Sequence, residues 1–257
     1  MSIILIGVLA SLGAGLMTGV GAIPVLFGKH VSRRNNDMML GFAAGVMISA
    51  SFFSLIIPGI EAAKLIYGTV FVAALLAAAG IAAGAAFVAL LNETLPHEHF
   101  IVGPEGADPG ALPRIWLFII AITIHNFPEG MAVGIGFGGG DVANGLSLAT
   151  GIGLQNAPEG LAVALALRGQ GYAKLSSFLI ALATGLVEPL GGLLGIAMIN
   201  VSVYVLPLGL TFAAGAMLYI ISHEIIPETH RYGHQKWATT GLITGLILMM
   251  LLDVTLG

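Results

Sequence analysis

Apolar residues run along this chain in long blocks separated by short polar stretches. Windows of about 20 apolar residues are long enough to cross a hydrocarbon core about 30 Å thick. By that measure eight spans are predicted, at about 3–28, 38–60, 66–91, 114–137, 143–167, 174–199, 204–227 and 236–256. The longest polar connection, about 92–113, carries Glu93, His97, Glu98, His99, Glu105 and Asp108 among Gly and Pro. It is expected to be a mobile cytoplasmic loop, its His-Glu-His cluster mainly solvated. Nothing else reads as a separate domain, so residues 1–257 are expected to form one transmembrane unit.

Composition sharpens the class. The chain is 57 % apolar and 9 % charged, against about 25 % charged for a soluble domain, which makes it an all-α integral membrane protein. Glycine accounts for 37 residues, and much of it recurs at four-residue spacing: Gly41/Gly45, Gly80/Gly84, Gly130/Gly134, Gly191/Gly195 and Gly241/Gly245. Such pairs let helix backbones approach closely. There are no cysteines, so disulfides and thiolate ligands are excluded. The net charge is −4 with no basic run, so no nucleic-acid partner is expected.

Lys and Arg set the orientation. Eight of the nine basic residues, Lys29, Arg33, Arg34, Arg114, Arg168, Lys174, Arg231 and Lys236, lie in the loops after helices one, three, five and seven. Only Lys64 lies on the other side. Both termini are therefore expected outside, in the plasma membrane, which for a bacterium is the inner membrane.

Two near-twin hexapeptides interrupt the apolar pattern: His125-Asn126-Phe127-Pro128-Glu129-Gly130 in helix four and Gln155-Asn156-Ala157-Pro158-Glu159-Gly160 in helix five. An ionisable group at the centre of a membrane helix costs roughly 2.5–3.5 kcal/mol even on the lenient insertion scale, so such residues mark function by default. At about 100° of rotation per residue, His125, Asn126 and Glu129 share one narrow face, and so do Gln155, Asn156 and Glu159. Pro128 and Pro158 cannot donate a helical hydrogen bond, which frees the carbonyls of Ile124 and Leu154. Glu188, directly before Pro189, is a third intramembrane carboxylate. His223 and Glu224 stand toward the cytoplasmic end of helix seven and extend a polar exit path.

The two copies lie on consecutive helices and are related by inverted topology. Thr18-Gly19-Val20-Gly21-Ala22-Ile23-Pro24 aligns with Thr184-Gly185-Leu186-Val187-Glu188-Pro189, and Leu55-Ile56-Ile57-Pro58 with Glu224-Ile225-Ile226-Pro227. The implied plan is a 3+2+3 inverted-repeat bundle, a transporter signature.

Three carboxylates, one imidazole and several amides suit a divalent cation of borderline hardness: Zn²⁺, Fe²⁺, Mn²⁺, Cd²⁺ or Co²⁺ rather than Cu⁺. Because ligands must be deprotonated, metal binding is expected to release protons and to weaken in acid. The expected partners are divalent metal ions, as transported substrate rather than cofactor, and membrane lipid, with a homodimer kept open. No cofactor is expected.

With these hexapeptides, eight spans and outside termini, the chain resembles the ZIP family of zinc/iron-regulated-transporter-like proteins, in a bacterial branch. The resemblance implies a binuclear site at mid-membrane, with one metal at His125, Glu129, Gln155 and Glu159. The second would use Asn126, Asn156 and Glu188, bridged by Glu129 and Glu159. It also implies transport into the cytosol, with His223 and Glu224 on the exit route. Gln155 stands where many members have His, and Asn156 where some have Asp, which should lower affinity and broaden selectivity.

Two other classes are open to the same residues. His223-Glu224-Ile225-Ile226-Pro227 begins like the zinc-protease His-Glu-x-x-His, but Pro227 replaces the second histidine. A carrier of an organic solute would want an aromatic pocket or an intramembrane Arg, and the chain is 7 % aromatic with no Arg inside a span.

Overall fold

Eight helical rods make up most of the described chain. A computed structural model describes residues 2–28, 32–94, 97–99, 103–105 and 114–256. The rods are α1 (Ile3–Leu26), α2 (Arg33–Tyr67), α3 (Val70–Thr94), α4 (Arg114–Gly138), α5 (Val142–Gly169), α6 (Lys174–Gly185 and Glu188–Val201), α7 (Leu206–His230) and α8 (Gln235–Leu256). Among the described residues, six of these are long and apolar enough to cross a membrane. The two not counted, α4 and α5, carry the hexapeptides, and in α5 Gln155, Asn156 and Glu159 dilute the apolar run.

Local sequence explains the ends. Ser2, Ser32 and Asp141 cap α1, α2 and α5, their side chains accepting from the backbone N–H of Leu5, Asn35 and Asn144. Gly140 and Gly171, with φ of +83° and +86°, turn the chain at either end of α5, a conformation that disfavours a β-carbon.

Three helices depart from straight α geometry, each beside a proline. In α2 the segment Ser51–Ile56 is wound as π-helix, two residues before Pro58; in α7, Ile221–Ile225 is π-helix, two residues before Pro227. Each π-segment runs into one of the two stretches aligned in sequence, Leu55–Pro58 and Glu224–Pro227. α6 is broken at Leu186–Val187, so the span expected at 174–199 is two half-helices. Pro189 cannot donate to the Gly185 carbonyl, and the second half opens on Glu188. By contrast α1 runs unbroken through Pro24.

The four-spaced glycines set how close the helices come. A β-carbon on Gly41 or Gly45 would strike the α8 backbone, and one on Gly241 or Gly245 the α2 backbone. Gly130 and Gly134 of α4 lie likewise against α6, and Gly191 and Gly195 of α6 against α4; Gly84 of α3 meets the α7 backbone and Gly215 of α7 the α3 backbone. Gly160 of α5 meets Thr18 of α1, Gly21 of α1 meets Ala157 of α5, and Gly15 of α1 meets Gly185 of α6.

The 92–113 connection differs in part from a plain loop. Helix α3 runs on to Thr94, and two short antiparallel strands, β1 (His97–His99) and β2 (Gly103–Glu105), pair His97 with Glu105. They are an exception to an all-helical chain. The rest of the loop, including Asp108, lies outside the described residues, as does His30.

Candidate metal-binding site

The short turn 139–141 makes α4 and α5 neighbours of opposite direction. His125 lies fourteen residues before Gly139 and Gln155 fourteen after Asp141 (139 − 125 and 155 − 141), so the hexapeptides begin at matched depth. At 1.5 Å per residue that depth is about 21 Å.

All seven residues singled out for ligand chemistry are buried: His125 (3 % exposed), Asn126, Glu129, Gln155, Asn156, Glu159 and Glu188. A chain of hydrogen bonds links four of them across three helices. Gln155 Nε2 donates to Glu129 Oε2 (2.6 Å) and to Asn156 Oδ1 (2.8 Å). Asn156 Nδ2 then donates to Glu188 Oε1 (2.6 Å) and to the Ala14 carbonyl of α1 (2.9 Å). The two amides thus stand between the two carboxylates and supply donors that water cannot reach to supply.

Glu188 is held from behind. Its carbonyl accepts from Ser11 Oγ at 2.8 Å, and it opens a half-helix, an end that favours a negative charge. Glu159 lies within electrostatic range of His125, Glu129, Glu188 and Glu224, which places it centrally among the ionisable groups.

His125 turns toward α7. Its Nε2 makes an ion-pair contact with Glu224 Oε2. Glu224 sits inside the α7 π-turn and also accepts from Asn92 Nδ2 of α3 at 3.3 Å. Of the two exit-path residues, Glu224 therefore joins the buried set. His223 is half-buried with its ring 5.1 Å from that of Tyr219. Among the described residues, no three His, Asp or Glu side chains form a ready-made metal cluster.

Several polar atoms at this place have no hydrogen-bond partner: His125 Nδ1, both side-chain heteroatoms of Asn126, Glu129 Oε1, Gln155 Oε1, Glu159 Oε1 and Glu188 Oε2. Burying such atoms unpaired costs about 1–3 kcal/mol apiece. An arrangement that repeats this cost across three helices, in lone pairs of the type that bind cations, has the chemistry of a cation site.

Sequence reading missed Asn92, which it set at the start of the loop; it is buried at the end of α3. Asp253, near the end of α8, is buried and accepts from Ser54 and Ser147. His234 pairs with the buried Asp37 at 2.7 Å. No periodicity flags these residues, because each depends on a partner distant in sequence.

A bundle of apolar helices enclosing a buried carboxylate–imidazole–amide core is an integral membrane protein with a polar site inside it. Comparison with known proteins narrows the class. Residues 105–253 match the family described as ZIP Zinc transporter. The chain is 47 % identical over 251 residues to Zinc transporter GufA of Myxococcus xanthus, covering 98 % of this chain and 99 % of that protein. It is 46 % identical over 240 residues to Zinc transporter ZIPB of Bordetella bronchiseptica, covering 93 % and 78 %. Zinc transporter ZIP11 of Homo sapiens is 35 % identical over 322 residues, covering 94 % of each. The chain belongs to the ZIP zinc transporter family, in its bacterial type, and is an integral protein of the plasma membrane. These relatives are transporters and not enzymes, so the protease-like reading of His223 and Glu224 is set aside.

Proposed function

We propose that this protein carries divalent transition-metal cations, Zn²⁺ foremost, across the membrane into the cytoplasm by alternating access. The carrying observation is the group of unpartnered, buried lone pairs on His125, Glu129, Gln155, Glu159 and Glu188. A dication taken up there offsets both the charge and the missing bonds. The relatives named as zinc transporters favour zinc; the same donors accommodate Fe²⁺, Mn²⁺, Cd²⁺ and Co²⁺.

Occupancy requires rearrangement. Gln155 and Asn156 now present N–H groups to the carboxylates, and rotation of the amides would present oxygens to a metal instead. Glu129 and Glu159 can then bridge two ions, the second reaching Asn126, Asn156 and Glu188. His125 leaves Glu224 to bind metal and returns to it as the ion passes toward His223 and the cytoplasm.

The packing supports a two-body motion within an eight-span, 3+2+3 bundle with both termini outside. Wherever a glycine lies against another helix's backbone, both partners fall within α1, α4, α5 and α6 or within α2, α3, α7 and α8. Between the two sets, Gly139, Gly151 and Gly209 meet side chains of Leu206, Met249 and Ile199. Backbone-to-backbone seams resist sliding, whereas a seam of side chains can repack.

The test is uptake of zinc into vesicles reconstituted with purified protein. Glu129→Ala and Glu159→Ala are expected to abolish uptake; near-normal rates in both would end the proposal.

A further inference from the structure

Three arginines gather where α2 and α8 begin, and the proposed metal path makes no use of them. Arg33 and Arg34 are the first two residues of α2, and Arg231 follows α7 in the turn to α8. Each stands over an aromatic ring. Arg33 and Arg231 lie 4.2 Å and 5.1 Å from the centre of the Tyr232 ring, and Arg34 lies 4.7 Å from that of Trp237, in the first turn of α8. Both rings are exposed, as is Lys236 beside them.

Nearby carboxylates do not neutralise this patch. Asp37 is buried and pairs with His234. Glu228 is half-buried and lies 3.9 Å from Arg231, and His230 is occupied by Thr229 and the Ile226 carbonyl. Among the described residues, neither Arg33 nor Arg34 stands within ion-pair distance of a carboxylate. Two guanidinium groups over one ring repel each other, a cost that an anion lodged between them removes.

Position selects the anion. The 22 residues of α8 span about 33 Å, close to the hydrocarbon thickness of about 30 Å. Its first turn therefore stands at the membrane boundary, where Trp and Tyr concentrate. The Lys and Arg distribution assigns this end to the cytoplasm, and the cytoplasmic leaflet carries anionic lipid. Setting topology requires positive charge only; stacking on a ring adds a fixed guanidinium plane, whose N–H edge can take two phosphate oxygens at once. The geometry is preformed, because Gly41, Gly45, Gly241 and Gly245 press α2 and α8 together backbone to backbone, and a preformed site needs little ordering on binding.

We propose that Arg33, Arg34, Arg231, Tyr232 and Trp237 bind the phosphate of an acidic phospholipid and tie the α2–α8 pair to the membrane surface. The site stands whether or not the transport reading does.

Trp237 is its own reporter. The chain has two tryptophans, so Trp116→Phe leaves Trp237 alone. In reconstituted phosphatidylcholine bilayers, brominated phosphatidylglycerol is expected to quench Trp237 several-fold more strongly than brominated phosphatidylcholine at the same mole fraction. Equal quenching would overturn the site, and that comparison needs no arginine variant. Adding Arg33→Gln and Arg34→Gln is expected to remove the preference, whereas Lys174→Gln, a charge lost elsewhere at the same end, should leave it intact. An equal loss from Lys174→Gln would mean attraction to net charge and no built site. Inorganic phosphate that abolished the preference at constant ionic strength would make a free anion the occupant and overturn the lipid assignment.

Discussion

Gly130 of α4 lies so close to Glu188, at the break in α6, that a β-carbon on Gly130 would overlap the Glu188 backbone. The last residue of the first hexapeptide therefore has a packing role: it lets a carboxylate on a broken helix come up against the helix that bears His125 and Glu129.

Gly130→Ala is expected to push the two helices apart and lower stability by about 1–3 kcal/mol, the usual cost of overpacking. Thermal unfolding of purified protein in detergent reads this directly. Gly13→Ala is the control, since a β-carbon there meets nothing within 4 Å, and it should leave the melting temperature unchanged or raise it, because Ala favours a helix over Gly. Equal shifts in both variants would contradict the close approach.

Asn156→Asp replaces an N–H donor with a third carboxylate in the chain Glu129–Gln155–Asn156–Glu188. The bond to Glu188 is lost and a like charge takes its place, so the metal-free variant should be less stable, by about 1–3 kcal/mol for the unpaired acceptor. Added zinc should restore more stability than it gives the wild-type chain. Thermal shifts measured with and without zinc decide the matter, and an identical zinc-induced gain in both proteins would count against Asn156 facing the ion.

Metal binding should release protons, because imidazole and carboxyl groups ligate only when deprotonated. Affinity is therefore expected to fall as the pH is lowered. Calorimetric titrations of zinc in buffers of different ionisation enthalpy measure the number of protons released, and heats independent of the buffer would refute the coupling.

Much of the class was legible without coordinates. Length and hydropathy marked the membrane helices, because in lipid each span must satisfy its own backbone and so appears as one continuous apolar run. The hexapeptides were legible for the opposite reason: a polar residue in such a run carries a cost that composition alone makes visible. The paired prolines and four-spaced glycines were equally plain, since their effects on the backbone are local.

Partnerships were not legible. A helix apolar on every side does not announce which face meets which neighbour, so nothing in the sequence shows that Asp253 pairs with Ser54 of α2 and Ser147 of α5. It gave 174–199 as one span without showing that the helix breaks before Glu188, and it placed Asn92 in a loop. Helical geometry put His125 beside Glu129 on one face of α4; only the packing of α7 against α4 turned the imidazole toward Glu224. The sequence by itself determined that buried carboxylates, amides and an imidazole would lie inside a membrane bundle. Tertiary structure decided which of them touch, because those contacts depend on the register between helices, fixed by where glycine lets one backbone press against another.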